Sequence, residues 1–141
     1  MLENEVYAEF VKAMKKYVHI QRIENAINSG TFDCIVSYAN VTFWCEFKED
    51  DDKELRASQV SWAKRRMDHG CLMDMLVITM SNDYFVVALA SDLIEADGPI
   101  NKCKRVTVGK KEIPEFFLHM FYTIRGDYDH ERNREGTEQL H

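Results

Sequence analysis

The apolar positions change period along the chain, and each change marks an element. From residue 4 to residue 17, Val6, Phe10, Ala13, Met14 and Tyr17 recur at helical spacing, with Glu5, Glu9, Lys12 and Lys16 along another face at i, i+4 intervals. That pattern predicts an amphipathic helix. Val18–Ile23 predicts a short strand, and residues 25–30 a loop. Between Phe32 and Lys48 the period falls to two. One set holds Phe32, Cys34, Val36, Tyr38, Val41, Phe43, Cys45 and Phe47; the alternate set holds Asp33, Ile35, Ser37, Thr42, Trp44, Glu46 and Lys48. Side chains on a strand alternate between faces. Strands over Phe32–Tyr38 and Val41–Lys48, turning at Ala39-Asn40, therefore form a hairpin with the first set buried and the second open.

The remaining pattern completes a mixed α/β (α+β) fold. Glu49–Glu54 is too polar to be buried and reads as a charged loop. Ser58 is the expected N-cap of a helix running to about His69, with Gly70 as its stop. Leu72–Met80 and Tyr84–Leu89 read as strands around the turn Ser81-Asn82-Asp83. Ser91–Ala96 reads as a helical turn broken by Asp97-Gly98-Pro99, and Val106–Val108 as a short strand. Ile113–Ile124 reads as a last helix, with Pro114 tolerated in its first turn. The expected architecture is a mixed central β-sheet flanked by helices, in one domain over residues 1–125. A polar tail over 126–141, with only Tyr128 and Leu140 as core-type residues, is expected to be mobile.

Length and composition agree with one compact domain. At 141 residues and 45% hydrophobic content, the chain is able to bury a core of its own. No apolar run approaches the roughly 20 residues that span a bilayer, so no membrane association is expected. The N-terminal residues lack the basic and apolar regions of a signal peptide. Cys34, Cys45, Cys71 and Cys103 show no C-x-x-C spacing and no paired histidines, which argues against zinc and for buried thiols in a reducing cytoplasm.

The chemistry lies in the hairpin. If Ser37 stands opposite Thr42, Asp33 stands opposite Glu46, and opposed side chains sit about 5 Å apart. Two acids that close repel each other unless a cation lies between them. Lys48 supplies one positive charge, and oxygen ligands favour Mg²⁺ or Mn²⁺ as a further source. A slip of one residue in the register would turn Glu46 into the core.

Gly30-Thr31-Phe32-Asp33, then Trp44-Cys45-Glu46-Phe47-Lys48, then Ser58-Gln59-Val60-Ser61-Trp62, preceded by Arg22-Ile23-Glu24-Asn25, resembles the PD-(D/E)XK nuclease superfamily. More narrowly it resembles the small phage-borne virus-type replication-repair nucleases. The resemblance covers about Glu5 to Ile78, a little over half the chain. Phe32 stands where that family has proline. The resemblance implies a restriction-endonuclease-like core and a divalent-metal-dependent DNA endonuclease, acting as a homodimer on branched DNA such as four-way junctions in phage replication, recombination or repair. It implies that Asp33, Glu46 and the backbone carbonyl of Phe47 bind Mg²⁺ or Mn²⁺. Lys48 would act on the attacking water, and Gln59 would touch the lysine or the substrate backbone. It also implies an acid on the first helix. Glu5 and Glu9 both fit that place, Glu9 being carried as the site residue, and Glu24 is a further candidate through Arg22-Ile23-Glu24.

The charge balance opposes this reading. The formal net charge is −6, whereas DNA-binding proteins present excess positive charge. Local clusters offset it: Lys12, Lys15 and Lys16; Arg56 with Lys64, Arg65 and Arg66; and Lys102, Lys104, Arg105, Lys110 and Lys111. Arg22, Arg56, Lys64 and Arg66 are the expected DNA contacts, and Gln59, Trp62 and Arg66 share one helical stripe. The alternative from another class is a non-catalytic acidic binding or accessory protein on the same scaffold.

Overall fold

The computed structural model describes residues 1–23 and 30–124. Glu24, residues 25–29 of the loop expected over 25–30, and the tail over 126–141 lie outside the described residues. The elements are α1 (Glu3–Met14), β1 (His19–Arg22), β2 (Cys34–Tyr38), β3 (Val41–Phe47), α2 (Ala57–Met67), β4 (Met75–Ser81), β5 (Tyr84–Leu89), α3 (Ala90–Ala96), a 3₁₀ turn (Ile100–Lys102) and β6 (Val106–Gly109). A fourth helix, α4, runs over residues 113–124. The strands form one six-stranded sheet in chain order, β1 to β6. Only β3 and β4 pair in parallel; β1–β2, β2–β3, β4–β5 and β5–β6 are antiparallel. The protein is thus an α+β domain with a mixed sheet. Among the described residues no helix is long and apolar enough to cross a membrane.

The hairpin forms as its residues require. Ala39 and Asn40 both take positive φ, 52° and 69°, the backbone of the two-residue turn whose twist matches that of the strands. That turn sets Ser37 opposite Thr42 and Cys34 opposite Cys45. Asn82 (φ 56°) turns the β4–β5 hairpin, and Gly70 (φ 85°) ends the α2 segment.

The sheet is covered on both faces. On the back, α1 (Val6, Phe10, Met14) and α4 (Ile113, Phe117, Phe121) pack on Cys34, Val36, Phe43, Cys45 and Phe47 and on their neighbours in β4–β6. On the front, Ala63 of α2 and Ala90 and Leu93 of α3 pack on Met75, Val77, Val86 and Ala88. The second hairpin set, expected to be open, is therefore roofed by α2. Parallel pairing of β3 with β4 needs a crossover, and α2 supplies it.

Several boundaries differ from expectation. α1 stops at Met14, whose carbonyl accepts the N–H groups of Tyr17 and Val18; Tyr17 is consequently exposed and outside the core. The first hairpin strand starts at Cys34 rather than Phe32, and Phe32 turns to the front. There it is wholly buried, with its ring 4.7 Å from that of Trp62. The Phe32 ring fills the space between sheet and α2. Ser58 lies inside the first turn of α2, and Arg56 is the N-cap. β4 starts at Met75, leaving Leu72 and Met73 exposed. On α4, Phe117 and Phe121 complete the core, while Tyr122 is exposed and its hydroxyl is 2.8 Å from that of Tyr38.

Candidate active site

The buried polar or charged side chains among the described residues are Glu46, Lys48, Gln59 and Thr79. Burying such groups is costly unless they pair or serve a purpose. Glu46 and Lys48 stand on the front of β3, and Thr79 stands on the front of β4. Gln59 points down from the first turn of α2.

Glu46 is the centre. Its Oε1 accepts the Asp33 backbone N–H at 3.2 Å, and its Oε2 lies 3.9 Å from Lys48 Nζ. The Asp33 carbonyl in turn accepts the Ile23 N–H at 2.6 Å, so Asp33 is held from both sides just before β2. The β2–β3 ladder starts at Cys34–Cys45, and the main chain of Phe47 runs past it beside these acids. Lys48 Nζ donates to Gln59 Oε1 at 3.0 Å. The same oxygen accepts the Arg56 N–H at 3.0 Å, which ties the helix cap to the lysine. With Oε1 occupied twice, the unpartnered Gln59 Nε2 is the atom left for neighbouring acceptors.

Gly30 is what allows α2 to descend this far. A Cβ at Gly30 would lie 2.1 Å from the Ser58 carbonyl oxygen and 3.4 Å from the Gln59 nitrogen. The glycine is required by space, not by an unusual backbone angle.

The electrostatics show an unbalanced pair of acids. Burial raises the Glu46 pKa first and the Asp33 charge raises it further, against lowering by Lys48 and the Gln59 amide, so that it reaches about 8. Asp33 is also raised by burial, opposed by Arg22, Arg56, Lys48 and its contact with Glu46. The Glu46 shift has burial as its first cause and the neighbouring Asp33 charge as its second, so the pair favours a shared proton unless a cation binds between the two carboxylates. Among the described residues no group of three or more His, Cys, Asp or Glu side chains is gathered for a metal. Two carboxylates and a carbonyl nevertheless match the needs of Mg²⁺, which is held by one or two carboxylates and keeps several waters.

The pH dependence of stability follows. Between the ordinary carboxylate value of 4.5 and about 8, folded Glu46 holds a proton that the unfolded chain has released. Stability is therefore greatest below that window and falls as pH rises through it, with a slope of up to about 1.4 kcal/mol per pH unit. Thermal unfolding in EDTA from pH 5 to 8.5 should show this fall, and Glu46→Gln should flatten it. A slope unchanged in Glu46→Gln would place the titration elsewhere.

Some expected residues converge here and others do not. Asp33, Glu46, Lys48 and Gln59 are brought together. Arg22 and Arg56 both act on Asp33. Arg22 is steered by Asn4, whose Oδ1 accepts from Nη2 at 2.8 Å, and by the Tyr7 ring 4.7 Å beneath it. Glu9 is drawn away from the cluster: it pairs with Lys110 at 3.0 Å. Glu5 accepts the Leu2 N–H at 3.1 Å as a helix cap. The first-helix acid whose charge reaches Glu46 is Glu3, which the sequence reading missed. Its position in the first turn of α1, beside two more conspicuous glutamates, was the available signal. Arg66 is engaged by an ion pair with Asp74 and lies between the Trp44 and Trp62 rings, at 5.5 and 5.4 Å. Lys64 is exposed on α2. The chain matches no protein-family model and no curated protein.

Proposed function

We propose that the chain is a divalent-metal-dependent DNA endonuclease on a restriction-endonuclease-like core. The observation that carries this reading is the buried Asp33–Glu46 pair, in which burial and the neighbouring carboxylate raise the Glu46 pKa to about 8. A hard dication bound between the two would replace that proton and let both carboxylates ionise. Asp33, Glu46 and the Phe47 carbonyl would hold Mg²⁺ or Mn²⁺, and the ion would polarise a phosphoryl oxygen and acidify a bound water. The protein's own groups do the rest. Lys48 orients the attacking water and offsets charge on the phosphate. Gln59 fixes the ammonium. Arg22 and Arg56 flank Asp33, where a backbone phosphate would approach, and hold it by charge-assisted hydrogen bonds. Arg66, spent on two tryptophans and Asp74, serves to position α2 instead.

The net charge of −6 favours the second reading, an acidic accessory protein that binds a partner without cutting. Phe32 is explained by packing against Trp62 and does not bear on the choice. A homodimer on branched DNA, in phage replication or repair within a host cytoplasm, belongs to the proposal through the family resemblance.

The test is a cleavage assay on linear, single-stranded, flapped and four-way-junction DNA, each with Mg²⁺, Mn²⁺ or EDTA. Cutting with either metal and none in EDTA is expected. Within it, Glu3→Gln should slow cutting more than Glu9→Gln. A folded protein that cuts no substrate with either ion would move the assignment to the binding protein.

A further inference from the structure

The site employs Glu46, Lys48 and Gln59, and leaves Thr79 without a task. Thr79 is fully buried on β4, and its Oγ1 meets no hydrogen-bond partner. Valine would fill the same space in the strand without burying an unpaired hydroxyl, a group that is costly to desolvate.

Its position is specific. β3 and β4 run parallel with Glu46 beside Val77 and Phe47 beside Ile78, and the Lys48 N–H donates to the Ile78 carbonyl at 2.9 Å. One step further sets Lys48 beside Thr79 on the front face, with the strands about 5 Å apart. The Lys48 ammonium has three donors. It makes a hydrogen bond to Gln59 Oε1 at 3.0 Å, while Glu46 Oε2 stands off at 3.9 Å, too far for a second. A buried ammonium with donors to spare is therefore the neighbour of a buried hydroxyl with acceptor lone pairs to spare. Gln59 Nε2, also buried, belongs to the Glu46 side, where the Gln59 amide lowers the pKa of that acid. A buried water typically makes about three hydrogen bonds to such orphaned groups.

We propose that Thr79 is a positioning residue for Lys48, its hydroxyl holding the ammonium through one buried water. The water accepts from Lys48 Nζ and donates to Thr79 Oγ1. The long flexible lysine stem is then anchored from α2 and from β4 at once, and its ammonium stays level with the acids. The functional consequence rests on the nuclease reading; the geometry does not.

Thr79→Val and Thr79→Ser in the full chain test it by three readouts. A high-resolution crystal structure should show a water within hydrogen-bond distance of Thr79 Oγ1 and Lys48 Nζ, lost in Thr79→Val. The melting temperature of Thr79→Val should stay level or fall, whereas removal of a merely unpaired hydroxyl would raise it. With saturating Mg²⁺, Thr79→Val should lower kcat about tenfold or more at unchanged KM, the loss expected for a hydrogen bond to a charged group, and Thr79→Ser should recover most of it. A dry gap beside Thr79, or a stabilised Thr79→Val with wild-type kcat, overturns the proposal. If wild type itself cuts nothing, the nuclease reading fails, and the density and melting temperatures alone decide Thr79.

Discussion

Lys48→Met should reduce metal-dependent cleavage by about a thousandfold or more, the scale on which a preorganised charge at a reacting phosphate and a positioned proton-handling group contribute. Methionine keeps most of the lysine stem, so the packing beneath α2 survives, and Gln59 Oε1 still accepts the Arg56 N–H. The fold is expected to persist, with little change in circular dichroism. Asp33 and Glu46 are untouched, so Mn²⁺ should still raise the melting temperature by mass action. Asp33→Asn should behave differently and lose both the cleavage and most of the Mn²⁺ shift. That contrast separates a residue that acts on the substrate from one that holds the ion. A Lys48→Met protein that cuts at the wild-type rate would remove the lysine from the chemistry.

Gly30→Ala should destabilise the protein by about 3 kcal/mol or more, beyond the usual cost of an added methyl group in a packed interior. The added carbon would overlap the Ser58 carbonyl oxygen at 2.1 Å and its carbon at 2.7 Å. Both are main-chain atoms at the first turn of α2 and have no rotamer to change. Relief requires the helix start to lift, which carries Gln59 away from Lys48. Gly98→Ala is the control, since its nearest contact would be an ordinary 3.7 Å and its effect should stay within about 0.5 kcal/mol. Chemical denaturation of the two variants measures the difference, and a Gly30→Ala protein as stable as Gly98→Ala would mean that the close approach is not real.

The parts of the site legible in the sequence were those governed by local rules. Alternation between Phe32 and Lys48, with Ala39-Asn40 as a two-residue turn, was enough to place Ser37 against Thr42 and Asp33 near Glu46. The contact of Gln59 with Lys48 came from the family resemblance, which left the substrate backbone open as its other partner, and not from a local rule. What stayed hidden depends on which element covers which face. Nothing in β3 itself shows that α2 will roof the acids, so the front face read as open and Phe32 read as part of the back. Arg66 looked like a DNA contact because its competitors, Trp44 of β3 and Asp74 just before β4, lie outside its own helix. Glu9 and Glu3 lie on one helix, and only the placement of Lys110 after β6 decides which is diverted. Ser58 is a better intrinsic cap than Arg56; the tertiary contact at Gly30 and the Gln59–Arg56 hydrogen bond set the helix start instead.

The strand order, β1 to β6 as in the chain, bears on how the molecule assembles. Each strand is laid beside its immediate predecessor, so most pairing is short-range in sequence, an arrangement associated with fast folding. The back of the sheet is the exception. Phe117 and Phe121 of α4 meet Phe43 at 6.1 and 5.1 Å, and Phe117 meets Phe10 of α1 at 5.4 Å. A nascent chain that has emerged only to residue 110 holds every residue of the candidate active site, yet the strand that carries Glu46 still lacks the apolar cover that Phe117 and Phe121 provide. The Asp33–Glu46–Lys48 cluster should therefore be completed late in folding, with the docking of α4, although none of its groups belongs to that helix.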